Sequence, residues 1–550
     1  MKKNVASKIL AGALASTMVL SMAACGGEEA QSSTPSSSTP SSSSSTPSSS
    51  SAAPEATATP DPGPDMTPLS ITISAPSDNT HTEPSEHYDK FVADLNEYLQ
   101  MDITWEWLDM SGYYEQLNLD IVAGDVADVM VVEKSATFLT AAEEGLFWDL
   151  GPYIDDYDNL AIIPEATRAN ASHNGKMYGI PRSRTLARNG LGYRLDWLNN
   201  LGLKEPTTWE DFYNMLYAFT YNDPDGNGVD DTVGLFLDSW SGVWNIMMTW
   251  FGVPNEWGVD ANGDLIYKVM TPEYKTALAA FRQLYADGVI NNGANGIPDF
   301  REVGAGKARN EGLRTQLGGC GVQVLDDQRK VQTYFEEQGI TTEDNIIYTL
   351  QGAVDTGLGT LCYPTTGMSN MIAVSTKTIK TEDQLKRVLQ MINDFNDGEV
   401  LTMIDYGYEG LTYHLDEDGY IVLEDAQMLE GKGVGAFRAG FNQILPYYTA
   451  EANARPAIVR PASSPIRELE EKLYSENIQY CVANYGAAFT SDFQVENGEA
   501  LNAIINDAQL KYITGEIDEA GLDEQLKTWW TAGGEQVTKE MNEAYHAAGN

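Results

Sequence analysis

A change of period between residues 68 and 134 constrains the fold more than any other feature. "PLSITISAP" (68–76), "MDITWEWLD" (101–109) and "ADVMVVEK" (127–134) carry β-branched and aromatic residues at strand spacing. Between the first two, "EHYDKFVADLNEYLQ" (86–100) puts Tyr88, Phe91, Val92, Leu95 and Leu99 on one helical face. "YYEQLNLDIVAGD" supplies a second helix before the third strand. Strand, helix, strand, helix, strand predicts an α/β layer with parallel strands. Ligands of such sheets sit beyond the carboxyl ends of strands. The loops that begin at Ser77 and Glu133 are therefore the first candidates, with Asp78, Asn79 and Lys134 as ligand-binding residues.

Further along the chain becomes more helical. "TTWEDFYNMLYAFTY" has Thr208 at an N-cap with Asp211 three residues on, and Thr381 and Gln384 repeat that spacing. Thr271-Pro272 opens another helix with a cap and a first-turn proline. The last helical stretch is expected to break at Gly533-Gly534. No internal repeat is present.

The N-terminus fixes the compartment. Lys2, Lys3 and Lys8 precede "ILAGALASTMVLSMAA", an apolar run of 16 residues. That is short of the roughly 20 needed to span a bilayer, so 1–24 is expected to be a secretory signal. Ala23-Ala24-Cys25 resembles a lipoprotein lipobox, with Met22 where leucine is usual. The resemblance implies lipidation of Cys25; the alternative is an ordinary cleaved signal with an incidental cysteine. Residues 26–66 hold no aromatic side chain and are rich in Ser, Thr and Pro. Such a segment cannot bury a core and is expected to be a disordered tether, spanning about 35 Å on average. No later stretch is apolar and long enough to cross a membrane, so a lipid on Cys25 would be the only anchor, at the outer face of the cell membrane.

The chain carries 34 Lys and Arg against 80 Asp and Glu, a formal charge of −46. So acidic a surface repels phosphate backbones and excludes nucleic acid as a partner. Cys320, Cys362 and Cys481 are an odd set outside the membrane, so stability must come from a large core, although one pair could bridge. No G-x-S-x-G elbow or H-E-x-x-H motif occurs, and the histidines (81, 87, 173, 414 and 546) are scattered. Enzymatic function is not expected.

Two stretches carry recognisable chemistry. In "NDPDGNGVDD" (222–231), Asp223, Asp225, Asn227, the Val229 carbonyl and Asp231 occupy alternate positions around Gly228. Ca²⁺ takes six to eight oxygens from such a loop. Position twelve is Gly234, not glutamate, and "TVGLFL" after it is strand-like. Thr232, water or a distant carboxylate is then needed to complete the shell, and a metal-free Asx turn is the alternative. In "LDSWSGVWNIMMTWFGVPNEW" (237–257), Trp240 and Trp244 share a helix face near a strand end. Flat indoles suit the C–H faces of sugars. "PRSRTLAR" (181–188) adds Arg182 and Arg184, whose forked donors suit hydroxyls or a carboxylate, unless they pair with nearby acids.

Together "AGDVADV", "NGKMYGIP", "YRLDWLNNLGLKEPTTWEDF", "NDPDGNGVDDTVGL", "TPEYKTALAAFRQLYADGVI", "DYGYEGLTYHLDEDG" and "VTKEMNEAY" form an ordered set over nearly the whole body. The set resembles the extracellular solute-binding lipoproteins of bacterial ABC importers, of the large oligosaccharide type; Ala127 stands where proline is frequent. The resemblance implies an α/β, two-lobed, type II periplasmic-binding-protein-like fold with a hinged central cleft. Lobe 1 is expected over 67–190 plus 371–445, and lobe 2 over 191–370 plus 446–550. Crossings are expected near 190–194, near 366–370 and around 446–460. The resemblance also brings Tyr408, Glu409 and Tyr413 near the cleft and implies a structural calcium in the 222–231 loop. It implies a monomer that hands an oligosaccharide to the transmembrane subunits of a permease. A peptide receptor and a carbohydrate adhesion module remain the alternatives.

Overall fold

The computed structural model describes residues 69–77, 86–304, 307–424, 441–446, 459 and 461–549. Cys25, Asp78, Asn79 and most of the expected third crossing lie outside the described residues.

The first sheet forms as its periodicity predicts. β1 (Ser70–Ser77), α1 (Glu86–Leu99), β2 (Asp102–Asp109), α2 (Tyr113–Ala123) and β3 (Val129–Val132) follow one another, then α3 (Ala136–Glu143). β4 (Ile180–Ser183) and β11 (Met368–Val374) complete a sheet in the order β2-β1-β3-β11-β4. β1 pairs in parallel with β2 and β3, whereas β11 runs antiparallel to β3 and β4. β3 is "VMVV" with every residue buried, the continuous apolar run expected of an inner parallel strand. Phe91, Leu95 and Leu99 of α1 are at most 1% exposed, so its apolar stripe is its core face.

The second sheet has the order β10-β5-β9-β6, from β5 (Asn189–Arg194), β6 (Val233–Leu235), β9 (Gly318–Val324) and β10 (Tyr348–Gln351). β5 is antiparallel to β9 and β10, while β6 is parallel to β9. Two hairpins stand outside the sheets: β7 (Trp257–Val259) with β8 (Leu265–Tyr267), and β12 (Tyr413–Leu415) with β13 (Ile421–Leu423). A core separate from that of the first sheet holds Trp197, Phe212, Phe219, Trp250, Phe281 and residues of three C-terminal helices. Two of those helices join through a π-helical turn, Trp530–Gly534, where Gly533 adopts φ +151°. The expected break at Gly533-Gly534 is this turn. Thr208 and Thr381 each close a capping box, with Asp211 and Gln384. Two sheets, each with its own helices and core, make the two-lobed α/β architecture that the resemblance implied.

The chain passes between the sheets twice within the described residues. Residues 184–188 link the end of β4 to the start of β5, and 352–367 link the end of β10 to the start of β11. Residues 190–194, expected at a crossing, are instead strand β5. The two crossings are bonded side by side: Arg184 N donates to Gly367 O (2.8 Å) and Thr365 N to Leu186 O (2.9 Å). The Thr365 hydroxyl donates to Thr185 O (2.9 Å), and Asn189 Nδ2 to Tyr363 O (3.0 Å). Gly367 takes φ +75° with Thr167 packed where a Cβ would stand, so the second crossing needs glycine there.

Trp244 corrects an expectation. It is 4% exposed, its ring 5.4 Å from Phe281 and 5.8 Å from Phe300. The helix Gly242–Trp250 turns this face into the second core because the neighbouring Val243, Met247 and Met248 are equally apolar. Trp244→Ala is expected to lower unfolding free energy by about 3–5 kcal/mol in a denaturant titration. Ligand affinity of the folded fraction should stay unchanged.

Candidate functional site

The direction of each strand locates the site. β4 ends at Ser183, level with Met368 where β11 begins, and Val132 at the end of β3 pairs with Met371. In the second sheet Asn189 at the start of β5 pairs with Val324 at the end of β9. Both crossings therefore join the carboxyl edges of the parallel strands. The first, over 184–188, spans at most about 20 Å when fully extended.

On the edge of the first sheet, polar side chains form a chain of hydrogen bonds. Arg182 Nη1 donates to Ser369 Oγ (3.0 Å), and Asn370 Nδ2 donates to the Tyr114 hydroxyl (3.1 Å). Arg182 is 5% exposed, rooted in β4 with its guanidinium at the strand end. Burial raises the Tyr114 hydroxyl and the Glu133 carboxyl above their ordinary pKa values. Lys134 follows β3 and donates to the carbonyls of Asn170 (3.1 Å) and Ser172 (2.6 Å). Burial brings its ammonium down to about 8. Arg184 donates to Ser183 O (3.2 Å), and Arg188 makes a bidentate pair with Asp326 (2.8 Å to each oxygen).

The second sheet presents Asp238, Trp240 and Gln323 at its carboxyl edge. Trp240 follows β6, is 38% exposed, and its backbone N–H donates to Asp238 Oδ1 (3.0 Å). Gln323, near the end of β9, is 1% exposed; its Nε2 donates to Asn310 Oδ1 (3.2 Å) while its Oε1 has no partner. Lys134, Arg182 and Arg184 thus stand on one edge and Trp240 on the other. Sequence reasoning missed Tyr114, Ser369, Asn370 and Gln323. Asn370 sits inside "MSNMIAV", and only the antiparallel direction of β11 places it at the carboxyl edge.

The 408–413 segment is anchored elsewhere. The Tyr408 hydroxyl donates to Asp94 of α1 (2.7 Å), and the Lys90 ammonium lies 4.4 Å from its ring centroid. Tyr413 is 6% exposed, in the β12–β13 hairpin, and Glu409 is exposed beside it. These contacts tie Tyr408 to α1 in the helical layer over the first sheet, whereas the resemblance expected Tyr408, Glu409 and Tyr413 near the cleft.

A concavity of about 630 Å³ lies among Val269, Pro272, Lys275, Leu526 and Trp530, and shares no residue with either strand edge. The order of the strands, not cavity size, singles out the site.

The 222–231 loop gathers its acceptors. Asn227 Nδ2 donates to Asp225 Oδ2 (2.8 Å) and Asp231 Oδ1 (3.2 Å), and Gly228 N donates to Asp223 Oδ2 (3.0 Å). Gly226 and Gly228 take φ of +71° and +78° to make the turn. Asp223 Oδ1 is buried with no hydrogen-bond partner, an orphaned acceptor that suits a hard cation. The Thr232 hydroxyl is buried and donates inward to Phe219 O (2.8 Å), into the core beneath the loop. Among the described residues no three His, Cys, Asp or Glu side chains converge as a metal site. In this loop the Asn227 amide stands between two of the carboxylates, so an oxygen set for Ca²⁺ requires that amide to turn.

Comparison with known proteins agrees with this architecture. Residues 79–298 match the sequence profile of the bacterial extracellular solute-binding proteins. The chain is 33% identical over 468 residues to Lipoprotein LipO of Bacillus subtilis, covering 82% of this chain and 88% of that protein. It is 27% identical over 474 residues to the polygalacturonan/rhamnogalacturonan-binding protein YtcQ of the same organism, covering 85% and 90%. Among solved structures, the substrate-binding protein FusA of Streptococcus pneumoniae in complex with kestose superposes with a TM-score of 0.60. That match is 17% identical and covers 87% of this chain and 99% of FusA. A FusA EF-hand mutant in complex with fructo-nystose matches equally well, with a TM-score of 0.60. The identity to LipO over most of both chains settles the family: this chain belongs to the bacterial extracellular solute-binding proteins.

Proposed function

We propose that this extracellular protein captures an oligosaccharide between its lobes and delivers it to the transmembrane subunits of an ABC importer. The observation that carries the reading is the meeting of two unlike edges at the crossings. One offers the donors of Arg182, Arg184, Asn370 and Lys134; the other offers the exposed indole of Trp240. Hydroxyl rims need the first and C–H faces the second. The printed names of YtcQ and the FusA complex, which concern sugars, support the same class. Closure follows from differential affinity, because a ligand that touches both edges stabilises only the closed arrangement. Lipidation of Cys25, with 26–66 as tether, holds a monomer at the membrane in this proposal.

A panel of soluble oligosaccharides and peptides tests the reading by thermal shift and small-angle scattering. An oligosaccharide should raise the melting midpoint and contract the particle. Trp240→Ala should weaken that ligand about tenfold or more while leaving the midpoint of the free protein in place. Shifts with peptides alone, or capture of insoluble polymer without contraction, would overturn it.

The Lys134 ammonium gives the reading a pH signature. Its folded pKa lies near 8, below the usual lysine value, because burial disfavours the charge. It is charged at neutral pH and loses its proton as pH rises through about 8. Oligosaccharide affinity should fall across that window, while the reverse holds for stability: relief from a buried charge favours the fold as pH climbs toward the unfolded lysine value. Isothermal titration at a series of pH values with Lys134→Met as the flat control checks this.

A structural calcium in the 222–231 loop belongs to the same proposal. Asp223, Asp225, Asn227, the Val229 carbonyl and Asp231 would hold it, and the ion would relieve repulsion among carboxylates crowded into one turn. The orphaned Asp223 Oδ1 and the two positive-φ glycines support it. The loop joins the helix Trp209–Tyr221 to β6, well before Trp240. Chelation should therefore lower the melting midpoint and leave sugar affinity nearly intact. Lost affinity with an unmoved midpoint would move the ion into the ligand site.

A further inference from the structure

Two of the three body cysteines meet where the fold gives each no other cysteine. Cys362 lies in the second crossing and Cys481 in the loop after the helix Pro465–Asn477, and their backbones form a parallel bridge. Cys362 N donates to Tyr480 O (2.9 Å) and Val482 N donates to Cys362 O (3.0 Å), so Cys481 is the residue directly opposite. Bridge partners in a parallel pair stand about 4.8 Å apart and project to the same face. That lies inside the roughly 4.4–6.8 Å range of Cα separations that a disulfide spans. Cys320 sits in β9 between Tyr193 and Leu235, fully buried, and pairs with neither.

From this register we propose that Cys362 and Cys481 form a disulfide once the protein is exported, while Cys320 stays a thiol. The balance is simple. The Cys481 thiolate attacks the disulfide of a thiol–disulfide oxidoreductase, releasing one of its sulfurs as a thiolate. The Cys362 thiolate then attacks the mixed disulfide at the Cys481 sulfur and releases the other. One S–S bond forms, two protons leave, and two electrons reduce the oxidant to its dithiol. Cys362 is 1% exposed and Cys481 is half-buried, so Cys481 is the sulfur that the oxidant meets first. Burial also pushes the Cys362 thiol up to about 12, which makes closure the slow step. The extracellular setting favours such bonds.

The bridge would tie the second crossing to a segment that follows it by about 120 residues, a loop long enough for a large effect on the unfolded chain. It would fasten the foot of the crossing, where Tyr363 O and Thr365 bond the first crossing, onto the body of the second lobe.

The test uses the full chain exported by a host whose periplasm holds a dithiol oxidase, quenched in acid and alkylated under denaturing conditions. Before reduction, peptide mapping should find Cys320 alkylated and one linked peptide pair containing Cys362 and Cys481. After reduction all three should alkylate. Reductant should lower the melting midpoint by roughly 5–15 °C. The Cys362→Ser/Cys481→Ser variant should show no response to reductant, and Cys320→Ala should behave as the parent does. Alkylation of all three before reduction, linkage through Cys320, or linkage between two chains would overturn the proposal.

Discussion

One antiparallel strand in each sheet governs the rest of the molecule. β11 enters the first sheet from the edge where β1 and β3 end, and β5 enters the second from the edge where β9 and β10 end. Were either strand parallel to its neighbours, its crossing would have to run the length of a sheet before joining. Instead residues 184–188 suffice, and the carboxyl edges of both sheets are held close together. Asn370 owes its place at the carboxyl edge to that reversal. Arg182 is next to last in β4, Asn370 is third in β11, and Trp240 follows β6.

The local rules carried the sequence a long way. The strand–helix alternation over 68–134, the apolar stripe of α1, both capping boxes and the break at Gly533 all stand in the structure. These depend on residues a few positions apart, where spacing and side-chain type decide. The places of Lys134, Arg182 and Arg184 at strand ends were legible for the same reason, because each follows or ends a recognisable strand. What failed needed long-range information. Four-residue spacing expects one helix face for Trp240 and Trp244, but the helix begins only at Gly242, so Trp240 precedes it while Phe281 and Phe300 pack on Trp244. Tyr408, which the resemblance brings near the cleft, is bonded to Asp94, more than 300 residues earlier. Asn370 and Tyr114 went unnoticed because their pairing depends on strand direction, which alternation alone does not encode.

Charge adds a second layer. With 80 acidic side chains against 34 basic ones, a cation at a strand end is conspicuous; this chain sets Lys134, Arg182 and Arg184 around the first-sheet edge and Arg188 at the start of the second sheet. Arg188 is held by Asp326, and that pair leads on to Tyr474 and Glu470 of the helix Pro465–Asn477. Lys134, Arg182 and Arg184 bond instead to backbone carbonyls and a hydroxyl at the end of the first sheet. In an otherwise acidic chain, the first-sheet edge is a local concentration of positive charge.

The paired crossings also set a mechanical rule. Because Arg184, Thr185 and Leu186 are bonded to Thr365 and Gly367, neither segment can slide past the other without breaking several hydrogen bonds at once. A ribbon of two bonded strands resists shear and in-plane torsion but flexes across its thin dimension. The lobe closure proposed above would then proceed along one soft coordinate, like a leaf spring, with a mutation in either crossing altering the stiffness felt by both.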